Sequence, residues 1–125
     1  MTEERIREAL RDCYDPEIPL NLVELGVVES IRLALDADAP GAGIAGVPDR
    51  YTVEVTLLPA DRDEGLDAQV RAVVANRLAG LPELSRCGVR YVAGPRWTPA
   101  RITAAGRRRL GLDQPQFPIL NNRVR

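Results

Sequence analysis

Residues 51–80, "YTVEVTLLPADRDEGLDAQVRAVVANRLAG", change period halfway, and that change decides the fold class. Tyr51, Val53, Val55 and Leu57 alternate with Thr52, Glu54 and Thr56, the pattern of a strand with one face on a core. From Leu66 onward the period is helical: Leu66, Val70, Val73, Val74 and Leu78 share one face, and Gly80 and Pro82 end it. A strand followed at once by a long amphipathic helix implies a sheet with that helix laid across it. The junction, "PADRDEG", carries Asp61, Arg62, Asp63 and Glu64 and contains no cysteine, histidine or lysine.

Toward the N-terminus, Ile6, Ala9, Leu10 and Cys13 fall on one helix face, and Glu3 and Glu4 suit the positive end of its dipole. A first helix is expected over residues 2–13. Pro16 disfavours helical geometry at Asp15, so the helix stops there. "LNLVELGVVESIRLAL" reads as a compact apolar connection, turned at Gly26, that becomes a strand near Val27 with Val27, Ile31, Leu33 and Leu35 on one parity. Residues 36–49, rich in Gly, Ala, Pro and Asp, read as a long mobile hairpin loop, a surface insertion.

Toward the C-terminus, "RCGVRYVAG" predicts a third strand with Cys87, Val89 and Tyr91 on its inner face. Thr98 as N-cap and Pro99 at the first helical position predict a last helix reaching Leu110. The tail, 113–125, holds Phe117, Ile119 and Leu120, an apolar group able to dock on this or another subunit. The expectation is one α+β domain over 1–112, order α-β-β-α-β-α, with a small mixed sheet of about three strands and helices mainly on one face. Such a sheet leaves a face or an edge open, which favours a homodimer or a covering partner.

Composition excludes much. The chain has 125 residues and a formal net charge of -1, with no long basic stretch, so nucleic acid is not the expected partner. No apolar run approaches the roughly 20 residues that span a bilayer, and the acidic, amphipathic start is unlike a secretory signal; a cytoplasmic protein with no membrane partner is expected. Histidine and lysine are absent and all 17 basic residues are arginine. Ser-His triads, imidazole ligands, Schiff-base lysines and P-loops are therefore ruled out. Cys13 and Cys87 show no zinc-site or disulfide spacing and read as buried free thiols.

Three stretches remain for chemistry. In "DPEIPLNLVELG", Asp15, Glu17, Asn21 and Glu24 are crowded together; they either bind a hard cation or share a proton, or Asp15 and Asn21 simply cap turns. In "GPRWTP", Trp97 either closes a pocket or anchors an interface, or it is a core-edge residue. At the junction, the first turn of the central helix either receives an anion, or Asp61, Asp63 and Glu64 cap their own helix. The run "GRRRLG", residues 106–111, reads as a solvated face. No metal ligand set is assigned.

Together these stretches resemble a known family. "DPEIPLNLVELGVV" and "WTPARI...LG" are similar to the SufT-like and PaaD-like iron-sulfur cluster assembly domains, formerly domain of unknown function fifty-nine. Their signature is a DPE-P-N-VDLG-LV run followed by PPWTP. Asp15, Pro16, Glu17, Pro19, Asn21, Val23, Leu25, Gly26 and Val28 match the first run; Trp97, Thr98 and Pro99 match the second. Glu24 stands for the family's aspartate and Arg96 for its second proline. The family also places a cysteine, followed by proline, in the loop before its central helix, where this chain has Asp61, Arg62 and Asp63.

The resemblance implies a role in iron-sulfur cluster assembly, with a cluster-bearing client or carrier as partner. A reactive thiol at that helix start would be the cluster ligand, and without it no cofactor is expected in the isolated protein. Three readings follow: a non-enzymatic adaptor of this family; a repurposed enzyme or small-ligand binder with Asp15, Glu17, Asp61 and Trp97 around a pocket and a carboxylate of raised pKa; and a purely structural partner protein.

Overall fold

The computed structural model describes residues 1–112. Helix α1 spans Glu3–Leu10, α2 Leu22–Leu25, β1 Val28–Leu35, β2 Tyr51–Leu57, α3 Glu64–Ala79 and β3 Leu84–Tyr91; a 3-10 turn, Pro99–Arg101, precedes α4, Ala104–Leu110. The strands form one mixed sheet in the order β1-β2-β3, β1 antiparallel to β2 and β3 parallel to β2. The parallel step needs a crossover, and α3 supplies it. This is the expected α+β arrangement, with two additions, α2 and the 3-10 turn. The tail expected to carry Phe117, Ile119 and Leu120 lies outside the described residues.

Helix α1 buries Ile6, Ala9 and Leu10, and Thr2 caps it by accepting a hydrogen bond from Arg5 N. It ends earlier than expected. Asp12 N and Cys13 N donate to carbonyls three residues back, so the helix tightens and lets the chain peel away. Tyr14 then bridges to Asn21 and Leu22 N bonds Cys13 O. Val70, Val74 and Leu78 form the buried stripe of α3, and with Val53, Val55 and Leu57 they make the centre of the core. Fully burying each such side chain contributes about 1.5–3 kcal/mol. Val73, on the edge of the expected stripe, is exposed.

The expected parity of β1 fails at its start. A bulge places Glu29 between the pairs Val28–Leu57 and Ser30–Thr56, which shifts the phase, so Val28 and Ile31 are both buried. Val27 precedes the strand, and Leu35, at its far end, is 57% exposed. The last helix is also not continuous. Ile102 is extended and its side chain buried, and the N-cap of α4 is Thr103, which accepts from Gly106 N. Thr98 makes no capping bond with its side chain. The interruption lets Thr103 N reach Glu24 O, and Gly106 packs against that same carbonyl closely enough that a Cβ would lie 2.9 Å away. Helix α4 is thereby fastened to α2.

Candidate functional site

The DPE turn, the start of α3 and Trp97 converge at one end of the sheet. Asp15 shapes the turn from within: its Oδ2 accepts from Glu17 N and Ile18 N, both at 2.9 Å. Asn21 does the same for α2, its Oδ1 accepting from Val23 N at 3.0 Å and Glu24 N at 2.9 Å. Gly26 ends α2 in the left-handed region at φ 83°, and a Cβ there would overlap the carbonyl of Arg101. Both the conformation and the close approach require glycine.

The junction after β2 reaches into this turn. Arg62 grips Asp15 with both guanidinium nitrogens, Nη2 to Oδ1 at 2.6 Å and Nη1 to Oδ2 at 3.1 Å. Its Nε donates to Asp67 Oδ1 at 3.3 Å, and Glu17 Oε1 lies 3.5 Å from Nη1. The Asp15 side chain is 0% exposed and that of Arg62 16% exposed, so this is a bidentate pair removed from solvent. Burial by itself would push the Asp15 carboxyl up. The hydrogen bonds from Arg62, Ile18 N and Glu17 N outweigh it and hold the carboxyl below its ordinary value. The Arg62 guanidinium is raised further by the Asp15 hydrogen bond, against its own burial. Tyr91 Oη donates to Asp67 O at 2.6 Å, and burial raises its phenol.

Trp97 closes the top. Its Nε1 donates to Leu25 O at 2.7 Å and its backbone N to Pro59 O at 2.9 Å, tying the second signature run to both α2 and the junction. Between Trp97, Ile18, Leu25, Leu58 and the Arg62–Asp15 pair lies a cleft of about 10 Å³. One water needs at least roughly that much. The ligand pocket with a raised carboxylate, expected on the enzyme reading, is not formed around Asp15.

Of the residues singled out in the sequence, Asp15, Glu17, Arg62 and Trp97 are brought together here. Asn21 and Asp63 are caps, Asp63 Oδ1 accepting from Gly65 N at 2.7 Å. Asp61 and Thr98 are exposed. Glu24 points away: Arg11 Nε donates to it at 3.1 Å and Thr103 Oγ1 also donates to it. Those bonds, Thr103 first, lower its carboxyl against the opposing effect of burial. Sequence reasoning missed Asp67 and Tyr91. Asp67 lies one helical turn beyond Asp63, which is the only cue the sequence offers.

The residues present do not fit a resident iron-sulfur cluster. Cys13 is buried, its Sγ 3.8 Å from Val73 O, and Cys87 is half-buried on β3. Burial raises both thiols, disfavouring the thiolate that such clusters require. Among the described residues no three Cys, Asp or Glu side chains converge to hold a metal ion.

With this geometry in view, residues 3–38 match the family described as iron-sulfur cluster assembly protein. The family resemblance read from the sequence is borne out. The matched segment covers α1, the DPE turn, α2 and β1, and stops before the junction and Trp97. The fold is similar to a conserved hypothetical protein from Thermotoga maritima, with a TM-score of 0.64 at 22% identity, covering 89% of this chain and 95% of that one. It is similar, too, to a domain of unknown function, DUF59, from Bacillus anthracis, with a TM-score of 0.52 at 20% identity, covering 88% and 92%. No curated protein matches the sequence. No helix among the described residues is long and apolar enough to cross a membrane.

Proposed function

We propose that this protein is an accessory or adaptor in iron-sulfur cluster assembly or maturation, of the SufT-like or PaaD-like kind. It engages a cluster-bearing client or carrier in the cytoplasm and does not itself hold the cluster at the junction after β2. The observation that carries the reading is the Arg62–Asp15 pair. In the neighbourhood where the resemblance puts a reactive thiol, a guanidinium is locked into a bidentate pair with a fully buried carboxylate. The junction is thereby a closed structural joint, and the family's turn, α2 and Trp97 are retained around it.

A homodimer through β1 accompanies this reading. Among the described residues the strand pairs only with β2, and Leu35, with Ile44 and Val47 of the following loop, is exposed. Sedimentation at increasing concentration tests it, a monomer throughout being the refuting result.

The decisive experiment for the main reading is anaerobic reconstitution with iron and sulfide, followed by absorption spectroscopy and metal analysis. Sub-stoichiometric iron with no cluster absorption is expected. A stoichiometric cluster would overturn the reading, and its loss in a Cys13→Ser, Cys87→Ser double variant would show which side chains hold it.

A further inference from the structure

Strand β1 lies at an edge of the sheet, with β2 on one side. The hydrogen bonds at its far end show which backbone groups the other side leaves over. Asp36 N donates to Arg50 O, whereas Tyr51 N, opposite Leu35, turns away and donates to Glu83 O. N–H and C=O groups alternate sides along an antiparallel strand. Those of Ser30, Arg32 and Ala34 therefore face β2, and those of Ile31, Leu33 and Leu35 face outward. Among the described residues these outward groups make no backbone hydrogen bond beyond the sheet. The same three side chains share one face, Ile31 and Leu33 packed on the core and Leu35 exposed. At the start of the strand Glu29 bulges out and pairs with Arg101, so the regular edge runs over residues 30–35.

We propose that this edge pairs, antiparallel, with the β1 edge of a second copy about a two-fold axis at Leu33, joining the two sheets into one. The inference rests on the dimer reading above and adds its register. Residues directly opposite each other share a face, and a two-fold contact is made by one patch with itself. The axis therefore passes through a residue, since an axis between two residues would set core-face side chains against outer-face ones. Centred on Leu33, that side chain meets the partner's Leu33, and Ile31 meets the partner's Leu35. The outward groups of all three residues are then satisfied, and the exposed Leu35 gains an apolar neighbour. Centred on Arg32, Leu35 would fall opposite the bulged Glu29; centred on Ala34, Ile31 would fall opposite Ala37, beyond the strand. Charge decides the same way. With the axis at Leu33, Arg32 faces the small Ala34, with the partner's Asp36 on one diagonal and its Arg32 on the other, whereas an axis at Arg32 would set two guanidinium groups directly opposite. A second copy is favoured over a foreign strand because "SIRLALD", residues 30–36, is near-symmetric about Leu33, with polar ends and Ile31 and Leu35 at equal distance.

Arg32 and Ala34 are exposed, and in this register they oppose each other across the interface as a non-hydrogen-bonded pair, about 4.5 Å between Cα atoms, within disulfide range. Arg32→Cys and a tagged Ala34→Cys, both in a Cys87→Ser background, are mixed under reducing conditions and then oxidised. The mixture should give a cross-linked heterodimer. Either variant alone should give little, because like positions lie about 7–8 Å apart on the diagonal. Leu35→Pro supplies a second measurement. Its N–H faces outward, so proline, tolerated on an edge strand, removes intermolecular bonds and spares the ladder to β2; the dimer should weaken about tenfold with an unchanged circular dichroism spectrum. Cross-linking of Arg32→Cys alone or Ala34→Cys alone, in preference to the mixture, overturns this register and leaves a dimer through β1 standing. A sedimenting dimer that no cysteine pair captures, or that Leu35→Pro leaves intact, overturns the edge contact. A monomer at every concentration defeats the dimer reading and this inference with it, and none of these outcomes touches the iron reconstitution.

Discussion

Replacing Arg62 by methionine tests whether the junction is a structural joint. Methionine keeps most of the apolar stem, so the loss falls on the charge and its hydrogen bonds. It leaves Asp15, whose side chain is 0% exposed, without a cation. Removing one partner of a buried pair costs about 3–5 kcal/mol. The lower end, about 3 kcal/mol, applies because Asp15 keeps its bonds from Glu17 N and Ile18 N. In urea this moves the midpoint down by about 1.5 M for a slope near 2 kcal/mol/M, with the slope itself unchanged. Asp15→Asn should cost somewhat less, since Arg62 retains Asp67 and Glu17. The double variant should fall short of the summed losses by about 2 kcal/mol. The pH dependence has a definite sign. The Asp15 carboxyl lies below its ordinary 3.8 in the folded protein, so its contribution is present above the unfolded value and is lost as pH falls through the folded one. The gap between wild type and Arg62→Met should be full at neutral pH and narrow on acidification, closing once Asp15 is protonated in both. A cost below about 1 kcal/mol, the worth of a surface pair, or additivity within about 0.5 kcal/mol, would refute the reasoning.

Three further outcomes follow from the same geometry. Asp63→Ala should lower stability by about 1 kcal/mol and leave the far-ultraviolet spectrum of the folded state unchanged; a lost or altered fold would show that Asp63 does more than cap α3. Gly26→Ala forces a side chain into a φ of 83° and against the Arg101 carbonyl, so the loss should exceed the roughly 1–3 kcal/mol of backbone strain alone; a near-neutral variant in thermal melts would contradict the close packing of α2 on the 3-10 turn. With an aromatic disulfide reagent at neutral pH, the half-buried Cys87 should react before the buried Cys13, whose labelling should track unfolding; fast labelling of Cys13 would show that α3 opens locally.

The fold was legible where one period ran uninterrupted. The alternation of Tyr51 to Leu57 and the stripe of Val70, Val74 and Leu78 each reflect a single face against a single core, and the structure keeps both except at Thr56, which is buried although the alternation set it outward. Misreadings occurred where a backbone bond to a distant residue outweighed local pattern. Glu29 bulges out at the start of β1 and shifts the phase on which parity depends. Thr98 and Pro99 have the local chemistry of a helix start, yet they open only the 3-10 turn, and α4 follows Thr103, whose backbone N and hydroxyl both bond Glu24. Helix α2 is a single turn, too short for periodicity to register. Its Asn21 cap and Gly26 stop were both visible in the sequence, read there as parts of a loop.

The site was legible as a composition and not as a geometry. Asp15, Glu17, Arg62 and Trp97 were each conspicuous, but the sequence separates Asp15 from Arg62 by 47 positions and offers no reason to pair them. With the two unpaired in the mind's eye, the DPE turn looks like an open acidic cluster and the junction like a vacated thiol site. Pairing them changes both. The acids are neutralised from within, the cleft above them shrinks to about 10 Å³, and the joint needs no cation from outside.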